Sequence, residues 1–527
     1  MPSGSHPMNR IPGHDLADTE VRPPSHEAAV VPGSSASTSP RYPGPRWTLV
    51  FGSYDGVARF AVQEAQRALQ DCLPYVLPVM PAAGAAGAGL EHVCLVGTAA
   101  DHPWLAELVR RGALAPPPGR QGYTLHVGDS PFHEGCRVIA VLGADAAGVL
   151  YGVEELAAHL SAAGGPLDLP ERRRQRLDGL EPFTRNEAPA IARRGIWTWG
   201  YVIYDYRRFL DTMARLRLNS LTMWNDTAPL NLAEILDYAH SRAIEIVAGF
   251  HWGWGIDGLN LAAAADRARI KARVVETYRR EYAGLPIDGL YFQTLTEHTT
   301  QELDGRSVAA WCVELVNDTA AELYRLNPRL AIQFGLHATS IREHYTDLDA
   351  LDRRVVITWE DAGALPFAYS PDPEAGDGFE KTLDYARRLA RLRPGTPFAM
   401  VPKGWMCLRW GEEFEHHGAF LLGERRPAFA ADRLRARQPE WDRHNQAWLR
   451  HYPLAARFYR DILDGRPSSM LVTGLVEDGL LEAAVQPGVA LFAETLWNPR
   501  QPDAELLARA LRPYLCRGAT PAPGGAP

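Results

Sequence analysis

No stretch of about 18 consecutive apolar residues occurs in the 527-residue chain, so no membrane-spanning helix is expected. Cysteine is sparse. Cys72, Cys94, Cys136, Cys312, Cys407 and Cys516 are scattered and form no CxxC pair. That excludes a disulfide framework and a zinc knuckle, and isolated thiols fit a reducing compartment. A GxGxxG turn after a strand is missing, which counts against an open doubly wound sheet, the competitor of a barrel for an alternating chain, and no cofactor is expected. The net charge is −8, which lacks the basic excess of a general nucleic-acid binder. The segment Met1 to Pro45 is rich in Pro, Ser and Gly and has no apolar h-region. It reads as a disordered tail rather than a signal peptide. Taken together these absences point to a cytoplasmic protein.

What is present is an ordinary globular composition, 46% hydrophobic and 22% charged. The length calls for two or three domains. Strand and helix patterns mix from Arg46 to about residue 165, the span of a small α/β domain. Residues 166–190 read as a linker. From Ala192 a regular alternation begins, with strands expected at Gly195–Val202, Ser220–Trp224, Glu245–Trp252, Gly289–Thr296, Ala331–His337, Val355–Trp359, Phe398–Pro402 and Met470–Leu475. Eight strands alternating with helices across residues 191–500 predict a (β/α)₈ barrel. A helical insertion at 412–463 is expected to cap the site or make a homodimer contact. Residues 501–527 read as a C-terminal tail.

Active sites of such barrels lie at the C-terminal ends of the strands. Here those ends collect aromatic, histidine and acidic residues. In order they carry Trp197 and Trp199; Trp224 and Asp226; His251, Trp252 and Trp254; Glu297 and His298; His337; Trp359, Glu360 and Asp361; Lys403 and Trp405; and Glu477. The strand bodies are mostly apolar, so the sorting is directional. The chain has fourteen tryptophans, and seven fall at strand ends. A flat indole stacks on the C–H face of a pyranose, although about half of these rings are expected only to close the barrel top.

Glycosidic cleavage requires two carboxyl groups flanking the bond. Glu297 ends the fourth strand after a largely apolar run, and partial burial there would raise its pKa toward that of a general acid. Glu360 and Asp361 are candidates for the second carboxylate, with Asp226 and Glu477 as reserves. The three histidines His251, His298 and His337 end successive strands. A metal-dependent hydrolase would also carry an HxH pair on the first strand, where this chain has Trp197-Thr-Trp199. Contacts to sugar hydroxyls are therefore preferred, and no metal is expected. Lys403 and Arg194 are placed either to meet a substrate carboxylate or to form internal ion pairs.

Gly148-Val-Leu-Tyr151-Gly152-Val-Glu-Glu155-Leu, followed by a linker and by Arg193-Arg194-Gly195-Ile-Trp197, resembles the layout of family 67 α-glucuronidases and family 20 β-hexosaminidases. The resemblance spans roughly residues 46 to 500. It implies a non-catalytic α/β domain ahead of a catalytic barrel, acting on a carbohydrate. Family 20 enzymes place an Asp-Glu pair after strand four, and this chain has Thr296-Glu297-His298. The acid is matched and its Asp neighbour is not. Family 67 enzymes combine a Glu acid with a further Asp and Glu, residue types that Glu297, Asp361 and Glu360 supply. The reading is an exo-acting glycosidase with carbohydrate as its partner. A non-catalytic sugar-binding protein on the same fold is the alternative.

Overall fold

In a computed structural model, the described residues are 44–86, 88–162, 177–253, 258–293, 296, 300–337, 340–360, 378–405, 418–465, 467, 469–482 and 485–515. The tail expected before Arg46 lies almost wholly outside them.

The first six strands form one sheet. They are β1 (Trp47–Phe51), β2 (Val79–Pro81), β3 (His92–Thr98), β4 (Tyr123–Asp129), β5 (Arg137–Gly143) and β6 (Phe183–Glu187), in the order β2-β1-β3-β5-β4-β6. The three pairings among β2, β1, β3 and β5 are parallel, and β4 runs antiparallel to β5 and β6. Strand β6 lies inside the stretch read as a linker. It alternates exposed and half-buried residues, and a polar edge strand of that kind carries no apolar run to reveal it.

The next strands close a barrel. They are β7 (Arg193–Trp199), β8 (Ser220–Trp224), β9 (Glu245–Gly249), β10 (Gly289–Gln293), then, after the short hairpin β11 (Glu302–Leu303) and β12 (Arg306–Ser307), β13 (Ala331–Leu336), β14 (Val355–Trp359), β15 (Phe398–Met400) and β16 (Met470–Leu475). All eight pairings are parallel, and β16 returns to β7. Parallel strands covered on both faces read as continuous apolar runs, which is why they stand out in the sequence. Gly195 permits the tightest approach in the ring, because a Cβ there would sit 1.6 Å from the Ser220 carbonyl oxygen.

Helices cover the outside. Their starts carry local signals: Asp205 caps Tyr206–Arg215 by accepting from the Arg208 amide at 3.1 Å, and Ser307 caps Val308–Leu326 by accepting from Ala310 at 3.0 Å. The long helix Gln438–Asp464 belongs to this outer layer. It buries Trp441 and Trp448 and packs on Pro487–Trp497 and Gly378–Leu392, so it serves as the helix between the seventh and eighth strands rather than as a cap. The shorter helix Pro427–Ala436 does reach the strand ends, where Arg433 pairs with Asp478 at 2.8 Å. Asp503–Leu515, read as tail, is a helix packed on Ala146–Ala162. Its apolar residues Leu506 and Ala510 are buried.

The first sheet seals the N-terminal end of the barrel. Arg194, at the start of β7, is 1% exposed and donates to the carbonyls of Ile191 and Arg217 and to Gln121. It stacks over Trp497 and Tyr151. Arg194 is thus a structural group at the closed end, far along its strand from the rim, and both anticipated roles, a substrate contact or an internal ion pair, give way to hydrogen bonds with carbonyl and amide oxygens. Beside it lies a buried ion network. Arg509 reaches Glu187 at 2.8 Å, Glu155 at 3.2 Å and Glu494 at 3.3 Å, while Arg217 pairs with Glu494. These residues join the sheet, the barrel and the last helix. Replacing Arg509 by alanine removes the cation that three carboxylates share, leaving Glu155 and Glu187 to Arg185 and Arg512 and Glu494 to Arg217, and is expected to cost roughly 3 kcal/mol of stability. Chemical denaturation checks this, and an unchanged midpoint would mean that the network adds nothing to cohesion.

Candidate active site

In a barrel strand, alternate side chains face inward. Two inward layers are visible. Val356, Ala399 and Leu471 form a lower one. Trp197, Val247, Tyr291, Val401 and Leu475 form the next, with Trp199 and Trp224 packed on it. Above that layer opens a cavity of about 280 Å³, walled by Trp197, Trp199, Trp224, Val401 and Leu475 and bearing the polar groups of Asp226, His251, Gln293, Glu360 and Lys403. Few polar groups on a mostly apolar wall is the usual build of a small-molecule site.

The indoles are held against one another. Trp197 meets Trp199 edge-on at 4.7 Å and lies nearly parallel to Trp224 at 6.1 Å. Trp199 and Trp224 remain partly open. The other tryptophans of the rim do different work. Trp252 is fully buried and stacks on Phe292, Trp359 packs on Tyr385 at 4.9 Å, and Trp405 stacks on Trp448 at 5.1 Å. These three are core residues, and their expected role as sugar platforms is corrected. For two of them strand parity is the cause. His251 faces inward, so Trp252 faces the helices; Glu360 faces inward, so Trp359 does not. Trp254, Glu297, His298 and Asp361 lie outside the described residues.

Glu360 is the centre of the site. It is 3% exposed. The Tyr291 hydroxyl donates to one carboxylate oxygen, and the Gln293 amide donates to the other at 2.8 Å. His337 Nε2 stands 3.1 Å and Lys403 Nζ 3.6 Å from that second oxygen. Four side chains from three other strand ends therefore converge on one carboxylate. Burial alone would push its pKa up, but His337, Lys403 and the Tyr291 hydroxyl outweigh it and hold the group below the ordinary glutamate value. Glu360 is ionised at neutral pH. Lys403 is thereby assigned to an internal pair, one of its two anticipated roles, while still lining the cavity.

Gly335 on β13 makes room for this arrangement. A Cβ there would stand 2.2 Å from the Tyr291 hydroxyl and 2.4 Å from Glu360 Oε1. Gly335, Tyr291 and Gln293 had not been singled out as site residues. Inward parity is the signal that finds them, since Tyr291 and Gln293 are the i and i+2 positions of β10.

On the opposite wall, burial and the nearby Arg273 hold the His251 imidazole below its usual range, with Asp226 opposing them. His251 is therefore neutral at neutral pH. Asp226 is exposed at the rim. Glu477 is 1% exposed, and its charge together with that of Asp226 adds to burial in raising the Tyr201 hydroxyl pKa. Among the described residues no group of three or more His, Cys, Asp or Glu is placed to hold a metal ion, and no helix is long and apolar enough to cross a membrane.

No protein-family model matches the chain, and no curated protein matches it. Solved structures similar to it include a GH138 enzyme targeting pectin rhamnogalacturonan II, at 13% identity and a TM-score of 0.47 over 87% of this chain and 51% of that one. A β-N-acetylhexosaminidase matches at 11% identity and a TM-score of 0.42, over 76% of this chain and 89% of the other. An O-GlcNAc hydrolase of Thermobaculum terrenum matches at 10% and 0.36, over 62% and 64%. The chain spans about half the length of the first of these.

Two outcomes are expected. Glu360→Ala takes the carboxylate away from the buried Lys403 ammonium and removes the acceptor of the Tyr291 and Gln293 hydrogen bonds, and is expected to lose roughly 3–5 kcal/mol of stability, read by denaturant unfolding. The pH dependence has a definite sign. A carboxylate with a lowered folded pKa contributes stability that is present above its unfolded value of about 4.3 and is lost as pH falls through the folded value. The stability gap between wild type and Glu360→Gln should therefore be full at pH 6 and shrink below about pH 4. A gap that widens on acidification would refute an ionised Glu360.

Proposed function

We propose that the barrel is an exo-acting glycoside hydrolase, with Glu360 as the ionised carboxylate and Glu297 as the proton donor. The observation that carries this reading is a buried, ionised carboxylate at the wall of a cavity lined by three indoles. Indole faces suit the apolar face of a pyranose. A carboxylate that stays charged suits attack on the anomeric carbon, or activation of water, rather than proton donation. Its four partners orient it, and that preorganisation is what a charge-developing transition state rewards.

Support for Glu297 comes from its neighbour. Thr296 is fully buried; its hydroxyl accepts from the His337 amide at 3.3 Å, and its carbonyl accepts from the Ser340 hydroxyl. The residue before Glu297 is thus tied to the strand end whose histidine touches Glu360. Asp361 is the alternative for the second carboxyl role. Asp226, His251 and Lys403 offer polar contacts to sugar hydroxyls around the same cavity.

One observation favours a second reading, a sugar-binding protein without turnover. Both oxygens of Glu360 already accept hydrogen bonds and almost none of its surface is open. In that case Glu360 serves to hold Lys403 and His337 in place. Hydrolysis of a panel of chromogenic glucuronides, galacturonides, N-acetylhexosaminides and sialosides, by wild type, Glu297→Gln and Glu360→Gln, separates the two. The hydrolase reading expects one glycoside to be cleaved, with turnover reduced at least about a hundredfold in Glu297→Gln, the size of a general-acid contribution, while sugar affinity persists. No cleavage, with free sugars quenching tryptophan fluorescence, supports the binding reading.

A further inference from the structure

A second cavity, of about 330 Å³, adjoins the first and shares the Asp226 and His251 wall with it. Its character is different. The first is walled by indoles and aliphatic groups. The second offers one apolar ring, Phe250, which is 3% exposed, the half-buried His251 imidazole, and otherwise Thr227, Thr277 and charged side chains. It has no open aromatic platform, so whatever occupies it is recognised by hydrogen bonds rather than by stacking.

The charges narrow the class of ligand. Arg280 is engaged by Glu281 at 2.6 Å, and the other Glu281 oxygen accepts from the Ala228 amide at 2.9 Å. That leaves Arg273 facing two carboxylates, Asp226 and Glu276. One cation against two anions disfavours an acidic ligand. Donors and acceptors of both signs around a neutral, hydroxyl-rich molecule satisfy the lining better, because each sugar hydroxyl both donates and accepts.

We propose that this second cavity is a subsite for a neutral sugar unit, so that the substrate spans at least two units: one ring on the indole wall and the next beyond Asp226 and His251. The proposal rests on the carbohydrate reading above and extends it to an oligosaccharide or glycan chain. Asp226 and His251 then stand at the junction between the two units, where they touch both.

The test uses paired probes with the full chain. Binding of glucose and cellobiose, galactose and lactose, N-acetylglucosamine and its β-1,4 dimer, and galacturonic acid and its dimer is followed by tryptophan fluorescence or calorimetry. A neutral disaccharide is expected to bind at least about tenfold more tightly than its monomer, the worth of one or two net hydrogen bonds. Thr277→Trp fills the second cavity and should abolish that ratio. Arg273→Ala, on an exposed part of the same helix, should reduce it several-fold without a packing change. Equal affinities of monomer and dimer, or a ratio untouched in both variants, would overturn the subsite while leaving the carbohydrate reading intact. Preference for the acidic dimer would overturn the neutral assignment. Failure of every sugar to bind would remove both readings together.

Discussion

Closure of β16 onto β7 turns eight short strands into a ring, and the ring imposes one rule on every residue in it. Alternate side chains must face the barrel axis, and the others must face the helices. The lower layer of Val356, Ala399 and Leu471 obeys it, and so does the layer of Trp197, Val247, Tyr291, Val401 and Leu475 above. The cavity is what remains where that packing stops. Its floor is rigid because the layers beneath are full.

On this floor stands a charge. A carboxylate removed from water is costly unless it is paired and fully hydrogen-bonded. Glu360 meets that condition through Tyr291 and Gln293 on β10, His337 after β13 and Lys403 after β15. The compensation also requires an absence, since Gly335 must lack a side chain for Tyr291 to reach Glu360. Charge state, orientation and burial of Glu360 are thus one property shared by five residues. A similar balance holds at the closed end, where Arg509, Arg217, Arg185 and Arg512 pair with Glu155, Glu187 and Glu494 between the first sheet and the barrel. The cluster at the closed end serves cohesion. The one at the open end lines a cavity.

The fold was highly legible in the sequence. Ser220–Trp224, Val355–Trp359 and Met470–Leu475 have the expected bounds, because parallel strands covered on both faces are mostly apolar, and the closing helix Pro487–Trp497 has its expected bounds too. Polar β6 and the terminal helix Asp503–Leu515 escaped. The first lacks an apolar run, and the second follows the last strand, where no further element was required. The site was legible by position more than by direction. Seven tryptophans could be assigned to strand ends, yet Trp197, Trp199 and Trp224 wall the cavity while Trp252, Trp359 and Trp405 fill the core. Parity along β9 and β14 carries most of that distinction. It fails at Trp405, where the chain beyond β15 bridges to Val476 and turns the ring toward Trp448.

By itself the sequence determined the number of barrel strands, their alternation with helices, and the collection of acids, histidines and indoles at one end, since all of these follow from local composition and spacing. Only the tertiary structure decided which of those groups meet. Glu360 draws its partners from positions 291, 293, 337 and 403, and Arg194 finds its carbonyls at the opposite end from Lys403. Such meetings depend on ring closure and on the register between strands distant in sequence, and the balance between desolvation and paired charge that sets the state of Glu360 exists only once they have formed.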